Sequence, residues 1–579
     1  MALLRGLLQV WWALPVGAQI TGDPPASSVW IGSVKQLFVT DELVESAARV
    51  NRVMNVPTKL GRRVLQPDSP WERALNVSFD LYNSVLREEV EVGGYRENVT
   101  RFWYFAVQPG ASDASLHHGT AVQFPKYLQA YAELRDDAQI ATKPALEQVA
   151  LNGPAAGLPN NVLAVLSGDT QREGTSVWID ERRSLGGRYV SHAKIWKSPN
   201  STLAGNLGVS VSDDGLVWRD VVPAFWDPIG PNGEGEGCDT QSNAFFDESK
   251  GEYVLYTRQW LKPTNKEATD SYRAVRRLST RRMCCENGSV RVGQQWPAHA
   301  EKTVMAPDAF DNATHCHDEF QEPPVDYYGG IVYQYPYAGN GSYYFMLLPR
   351  LHHWVGPNQG WTSPESKPGG PAKIDVGLAV SRDGINFTQV GGRLPFIPVG
   401  QAGSWESRMV WGLPMPVLMP GGTPDRPESE LWIYYAGGNT DHDDVVDESS
   451  TTGGKQSGIS VARLRLDGWL SVDSPLSALT GEERGGSELV TVPLRFTGRQ
   501  LELNVDPGGQ GAVYVEIQDV HGAPIPGCAL TDAYPVIVNS VAAIVRWAGN
   551  CDVAALQSYG IKLRFVMTGA KLYAFQFVE

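Results

Sequence analysis

Asp239, Asp326 and Glu406 each open an apolar, strand-forming run beside small or polar neighbours, and Asp41 closes the opening run Val34 to Val44 on its acidic side. Carboxylates drawn from distant parts of a chain onto one axis can cleave an acetal. One protonates the leaving oxygen and the other acts as base or nucleophile. Glu406 is assigned here as proton donor, because Trp405 and Met409 beside it would desolvate it and raise its pKa. Asp239 is assigned as base or nucleophile, with Asp41 and Asp326 in support. The plainer reading of any one of these acids is a turn cap or a partner for a structural arginine.

Other side chains accompany these acids. Arg408 follows Glu406 by two residues and so shares its strand face. There it would hold a substrate hydroxyl, depress the Glu406 pKa, or form a plain salt bridge. Trp405, His353 and His442 join it as substrate-binding candidates on the pocket rim. Asp441-His442-Asp443-Asp444 offers oxygen ligands for a structural cation, against the reading as a solvated acidic loop. His315-Cys316-His317-Asp318 lacks a matched second ligand pair at zinc spacing, so no metal and no cofactor is assigned.

These residues must be positioned by strands and turns. Ser381-Arg382-Asp383-Gly384-Ile385-Asn386-Phe387 follows the apolar run Val376 to Val380, and Ser212-Asp213-Asp214-Gly215-Leu216-Val217-Trp218 repeats it with every offset kept. Both read as a strand, an Asp-Gly turn and an aromatic opening the next strand. Glycine supplies positive φ, aspartate caps neighbouring N–H groups, and the aromatic packs between sheets. Weaker copies stand at Leu134 to Ile140, Ser279 to Cys285 and Arg465 to Ser471. A recurring β unit of this length predicts a repeat architecture, and blades around an axis protect its strand edges.

Five such units can be followed: Trp71 to Pro144, Thr175 to Trp218, Cys238 through Tyr256, Asp326 to the Ser381 turn, and Ser404 to Asp467-Gly468. From about Ser487, short apolar runs separated by Gly- and Pro-bearing turns predict an antiparallel β-sandwich. The expected fold is all-β: a five-bladed β-propeller over 30–485, then a C-terminal antiparallel β-sandwich over 486–579.

A net charge of −15 argues against a nucleic-acid surface, which needs clustered Lys and Arg. The 18 Trp and 22 Tyr, set among 60 Gly and 39 Pro, suit short strands and sugar-binding faces. Arg5, the apolar run Leu7 to Val16 and the small residues Val16-Gly17-Ala18 form a signal-peptide pattern over 1–18. That run is too short to span a membrane, and no second stretch is long enough. With Asn-x-Ser/Thr sequons at Asn76, Asn98, Asn200, Asn287, Asn312, Asn340 and Asn386, it predicts a secreted, extracellular glycoprotein. The 6 Cys fit an oxidising compartment. Cys528 and Cys551 are the expected pair; Cys238, Cys284, Cys285 and Cys316 could form two further bridges.

The five-unit pattern, its turns and its axial acids resemble the five-bladed glycosidases and transglycosylases that include invertases, levansucrases and arabinanases. Gln36 to Glu45, Asp239 to Asp247, Ser381-Arg382-Asp383-Gly384, Ser404-Trp405-Glu406 and Leu572-Tyr573-Ala574-Phe575 are similar to a group of secreted glycosyl-hydrolase-like proteins. Thr40-Asp41 stands where that group carries an Asp-Asp pair, and Glu406 where it carries Asp. The invertase signatures are absent. The resemblance implies a glycoside hydrolase acting on an oligo- or polysaccharide. The alternative is a non-catalytic extracellular glycan-binding or adhesion protein that presents the same aromatics to sugars.

Overall fold

The computed structural model describes residues 28–92, 94–108, 127–135, 140–149, 151, 153–163, 172–195, 207–225, 240–261, 272–281, 302–308, 310–311, 325–352, 373–442, 454–476 and 487–579. They are almost entirely β, with a single five-residue α-helix, Pro70–Ala74. The chain divides into two compact units, one of Met1–Val53 with Leu470–Glu579 and one of Met54–Trp469.

The larger unit is a succession of short antiparallel meanders. In the first sheet, Ser78–Phe79 and Ser84–Val92 both pair with Tyr95–Val107, which pairs with Tyr127–Arg135. The second sheet runs Arg172–Ile179, Tyr189–Ile195, Leu207–Ser212, Arg219–Phe225. The third runs Asn243–Asp247, Glu252–Leu261, Tyr272–Thr280, Lys302–Met305. A ten-stranded sheet then contains two meanders, joined only through the parallel pairing of Ile374 with Met409. Its first half is built on Tyr344–His352 and Lys373–Ser381, its second on Glu430–Gly438 and Ser457–Arg465.

Consecutive meanders are stitched by hydrogen bonds that give buried polar groups their partners. Val177 N donates to Ser84 Oγ at 2.8 Å, Tyr253 Oη to Asp180 Oδ1 at 3.2 Å, and Val332 N to Asn243 Oδ1 at 2.9 Å. Ile374 N donates to Arg408 O at 3.2 Å. The last meander returns to the first through Phe79 N and Ser457 Oγ at 2.6 Å. Thr58–Lys59, from the start of this unit, adds an edge strand to Ser457–Arg465. The chain of bonds therefore passes through every meander and closes.

The two strong Asp-Gly copies fold alike. Gly215 N and Gly384 N donate to the Ser212 and Ser381 hydroxyls at 2.9 and 3.0 Å. Asp214 accepts from Leu216 N and Val217 N, and Asp383 from Ile385 N and Asn386 N, all at 2.7–2.9 Å. Burial pushes the Asp383 carboxyl up, but these backbone donors with Ser381 and the Asn386 carboxamide outweigh it and bring it down to about 2. Gly384 sits at φ +65, where an added Cβ would lie 2.9 Å from Tyr256 Oη. Gly384→Ala is therefore expected to cost about 1–3 kcal/mol, read by chemical unfolding. The weak copy at Arg465 is built differently: Asp467 itself takes φ +60 and is buried against the Tyr335 hydroxyl at 2.7 Å. The copies at Leu134 and Ser279 run into 136–139 and 282–285, outside the described residues.

A buried histidine marks the second sheet. His192 is fully buried, stacks on Trp178 with centroids 6.0 Å apart and accepts the indole N–H at 3.1 Å. Burial pulls its pKa down to about 3. The unfolded chain protonates this imidazole near pH 6.5 and the fold resists doing so, so its contribution is complete above pH 6.5 and falls as pH drops toward 3. Between pH 7.5 and 4.5 the expected loss is about 2–3 kcal/mol. Urea unfolding across that range should show it, and a His192→Gln variant should lack that part of the slope.

The smaller unit holds two sheets over one core that includes Phe38, Leu489, Phe496, Val515, Phe565 and Phe577. Phe496 and Phe577 stack at 3.6 Å. Cys528 and Cys551 are bonded, as expected from their spacing. Chain before residue 54 contributes strands here: Val29–Gly32 pairs with Leu494–Phe496, and Gln36–Leu37 with Lys571–Val578. The opening strand and Asp41 thus belong to this unit.

Candidate functional site

The first strands of the five meanders in the larger unit converge. Residues 86–89, 177–179, 243–246, 332–334 and 414–418 line one common cavity of about 480 Å³. A few residues earlier, at the heads of those strands, sits a buried polar and aromatic cluster. This is where the candidate acids of the fourth and fifth meanders stand.

Trp411 occupies its centre and is fully buried. An indole N–H so placed must find an acceptor, and it donates to Gln241 Oε1 at 3.0 Å. The Gln241 carboxamide in turn donates to Asn83 O at 2.6 Å. Tyr82 and Tyr328 meet the Trp411 ring edge-on, with centroids at 5.0 and 5.9 Å. The Tyr328 hydroxyl lies 2.8 Å from His442 Nε2. Residues from four loops or strand heads are thus tied to a single indole, directly or through Gln241 and Tyr328.

A cationic layer covers Tyr328. Arg273 stands 4.7 Å over its ring and 4.5 Å over Trp260; Arg258 stands 5.6 and 4.9 Å from the same two rings. Asp326 receives Arg273 twice, the backbone N–H at 2.9 Å on one oxygen and Nη1 at 2.5 Å on the other. Burial, and then the like charge of Arg273, hold the Arg258 guanidinium below its ordinary value, with Tyr328, Tyr82 and Asp326 opposing. Burial likewise works against the Arg273 charge, but Asp326 overcomes it and the pKa rises.

Glu406 has a separate partner. Its Oε1 is 3.2 Å from Lys59 Nζ, both side chains being largely buried. Burial lowers the Lys59 pKa and the Glu406 charge opposes that fall. Lys59 lies 5.0 Å over the Tyr435 ring, and Tyr435 stacks on Trp405 at 6.2 Å. Burial first, then Glu406, raises the Tyr435 pKa. Arg63 covers the Trp405 ring at 5.8 Å.

Of the sequence candidates, Asp326, Glu406, Trp405, Arg408 and His442 all fall in this unit. His442 joins the Trp411 cluster through Tyr328, and Asp326 joins it through Arg273. Glu406 and Trp405 form a second cluster around Lys59, and Arg408 contributes its backbone carbonyl to Ile374. Asp41 is elsewhere: it belongs to the smaller unit, is exposed, and pairs with Arg52, whose hydrogen bond lowers its pKa. Asp239, His353, Asp443 and Asp444 lie outside the described residues, as do Cys238, Cys284, Cys285 and the run 315–318. Among the described residues no group of three His, Cys, Asp or Glu is placed to hold a metal ion.

Tyr82, Asn83, Gln241, Arg258, Arg273, Tyr328 and Trp411 were not singled out from sequence. Three of them lay within the runs quoted for their acids: Gln241 is two residues past Asp239, Tyr328 two past Asp326, and Trp411 five past Glu406. Arg258 and Arg273 had no such signal, because they come from the second and third strands of their meander.

Chemically, the heads hold aromatic edges, the Gln241 carboxamide, an imidazole and guanidinium groups around the Asp326 carboxylate.

No protein-family description matches the chain, and no curated protein matches it. Solved structures give remote likenesses. An N-acetylgalactosamine deacetylase from F. plautii in complex with blood group B trisaccharide is 11% identical, over 76% of this chain and 100% of its own, with a TM-score of 0.36. A family 117 glycoside hydrolase from Zobellia galactanivorans is 11% identical over 73% of this chain and 91% of its own, at 0.32. An alpha-L-arabinofuranosidase from Fusarium graminearum is 11% identical over 72% and 99%, also at 0.32. None of these likenesses assigns an activity to the chain.

Proposed function

We propose that the larger unit is a five-bladed β-propeller, the smaller a β-sandwich, and the chain a secreted carbohydrate-active enzyme that hydrolyses a glycosidic bond at the strand heads. The observation that carries this reading is that residues from all five meanders line one common cavity. At two of their heads stand buried carboxylates, Asp326 joined through Arg273 to the Trp411 cluster and Glu406 in a second cluster with Lys59, Trp405 and Tyr435. Carboxylates of this kind supply the acid and the base or nucleophile of glycoside cleavage. Asp239 completes the proposed set, and cleavage of the leader near Ala18 would deliver the chain to the cell exterior.

One observation favours the second reading, a non-catalytic glycan-binding protein. Asp326 and Glu406 are each already held by a buried cation, Arg273 and Lys59, as structural carboxylates are.

The test is a panel of oligo- and polysaccharides incubated with the secreted protein, with released reducing ends as readout and glycan binding measured on the same panel. Release by the wild type and its loss in Asp239→Asn support hydrolysis. Binding without release from any member overturns hydrolysis and leaves the adhesion reading.

A further inference from the structure

The cavity common to the five meanders shares no lining residue with the head cluster and has its own chemistry. Its depth is apolar, with buried Val177, Ala244 and Val332. Its rim is polar, with half-buried Arg87 and exposed Glu89 and Asn98. Between them Phe245, Phe246 and Tyr337 remain partly open to solvent. Met415 is 40% exposed between two prolines and takes φ +67, a conformation costly for a residue with a side chain. Partly bare aromatic rings in a concave, ligand-sized space are the mark of a surface that something covers.

The chain can supply its own cover. Asn98-Val99-Thr100 is a glycosylation sequon. In the register of this hairpin Asn98 pairs with Glu89 and Thr100 with Arg87, so all four side chains share one strand face. Asn98 is itself part of the cavity lining. We propose that Asn98 carries an N-linked glycan whose first N-acetylglucosamine lies in this cavity. A pyranose has an apolar C–H face, which suits Phe245 and Tyr337, and a hydroxyl rim, which suits Arg87 and Glu89. The cavity binds the sugar and does not cleave it. Both oxygens of its buried carboxylate, Glu88, are taken by Arg101, Arg188 and Tyr189 at 2.6–3.0 Å.

This rests on the reading of the chain as secreted, and a second sequon separates the two. Asn386 is also exposed, does not line the cavity, and donates its carboxamide within its own turn, to Asp383 at 2.6 Å. The full chain would be secreted from a eukaryotic host and both sites followed by glycopeptide mass spectrometry during release by a peptide N-glycosidase under native conditions. Both should be occupied, and the Asn98 glycan should be released roughly tenfold more slowly, in proportion to a minor open state. Met415→Trp, which fills the mouth, should bring its release to the Asn386 rate. Asn98→Gln should increase binding of an apolar dye, whereas Thr388→Ala, which removes the other sequon, should not. An occupied Asn386 with a bare Asn98, or equal release in the wild type, overturns this proposal alone. Absence of glycan at both sites overturns it together with the secretory reading.

Discussion

Asp326→Asn is expected to lower the stability of the protein by about 3–5 kcal/mol, the range for removing one partner of a buried ion pair. The size follows from how the carboxylate is used. One oxygen accepts the Arg273 backbone N–H and the other accepts its guanidinium, so both positions face donors. An amide has one acceptor and one donor, and its NH₂ must oppose one of those N–H groups. Arg273 would also keep its charge beside a second buried guanidinium, Arg258, with the compensating anion gone. Urea unfolding of Asp326→Asn and of the double variant Asp326→Asn/Arg273→Met measures this. The double variant should recover much of the loss, because it removes the charge that the single variant strands. Wild-type stability in Asp326→Asn would mean the pair is not structural and would leave Asp326 a catalytic candidate on equal terms with Glu406.

The parts of this molecule legible from sequence are those whose physics is local. The Ser-x-Asp-Gly turns could be read because their bonds run two or three residues along the chain, and the two strong copies fold with the same set. The Cys528 and Cys551 pair is separated by only 23 residues within one small region. The site was legible as runs and not as residues. Gln241 and Trp411 are 170 positions apart and Arg273 and Asp326 are 53 apart, so neither pairing leaves a periodic trace. An acid at a strand head is conspicuous in a sequence, while the glutamine or tryptophan beside it looks like ordinary strand. Whether a given side chain faces the axis depends on register, and a one-residue change of register exchanges the two faces. The opening strand shows the same limit in another form. Its run Gln36 to Glu42 reads as a strand, but only Gln36–Leu37 is one, and its partner is Lys571–Val578, more than five hundred residues away; bend and turn follow through Asp41 and Glu42.

Glu406→Gln is expected to lower turnover roughly 10²- to 10⁴-fold on whichever glycan the panel identifies, the loss typical of a positioned proton-transfer group. The fold should tolerate this change better than the change at Asp326. Glu406 meets Lys59 through one oxygen at 3.2 Å, and glutamine keeps an oxygen that can turn toward the ammonium. The expected stability loss is about 1–3 kcal/mol, that of a weakened buried polar contact. Low turnover alone would not separate chemistry from structure, because Lys59 is largely buried and its charge could disturb the site once Glu406 no longer balances it. The variant Lys59→Met/Glu406→Gln makes the separation by removing both charges together. If Glu406 transfers a proton, the double variant stays as inactive as the single one although its stability recovers. If Glu406 only neutralises Lys59, turnover returns with stability. That second outcome would remove Glu406 from the mechanism, leaving Asp239 and Asp326 as the acids to test.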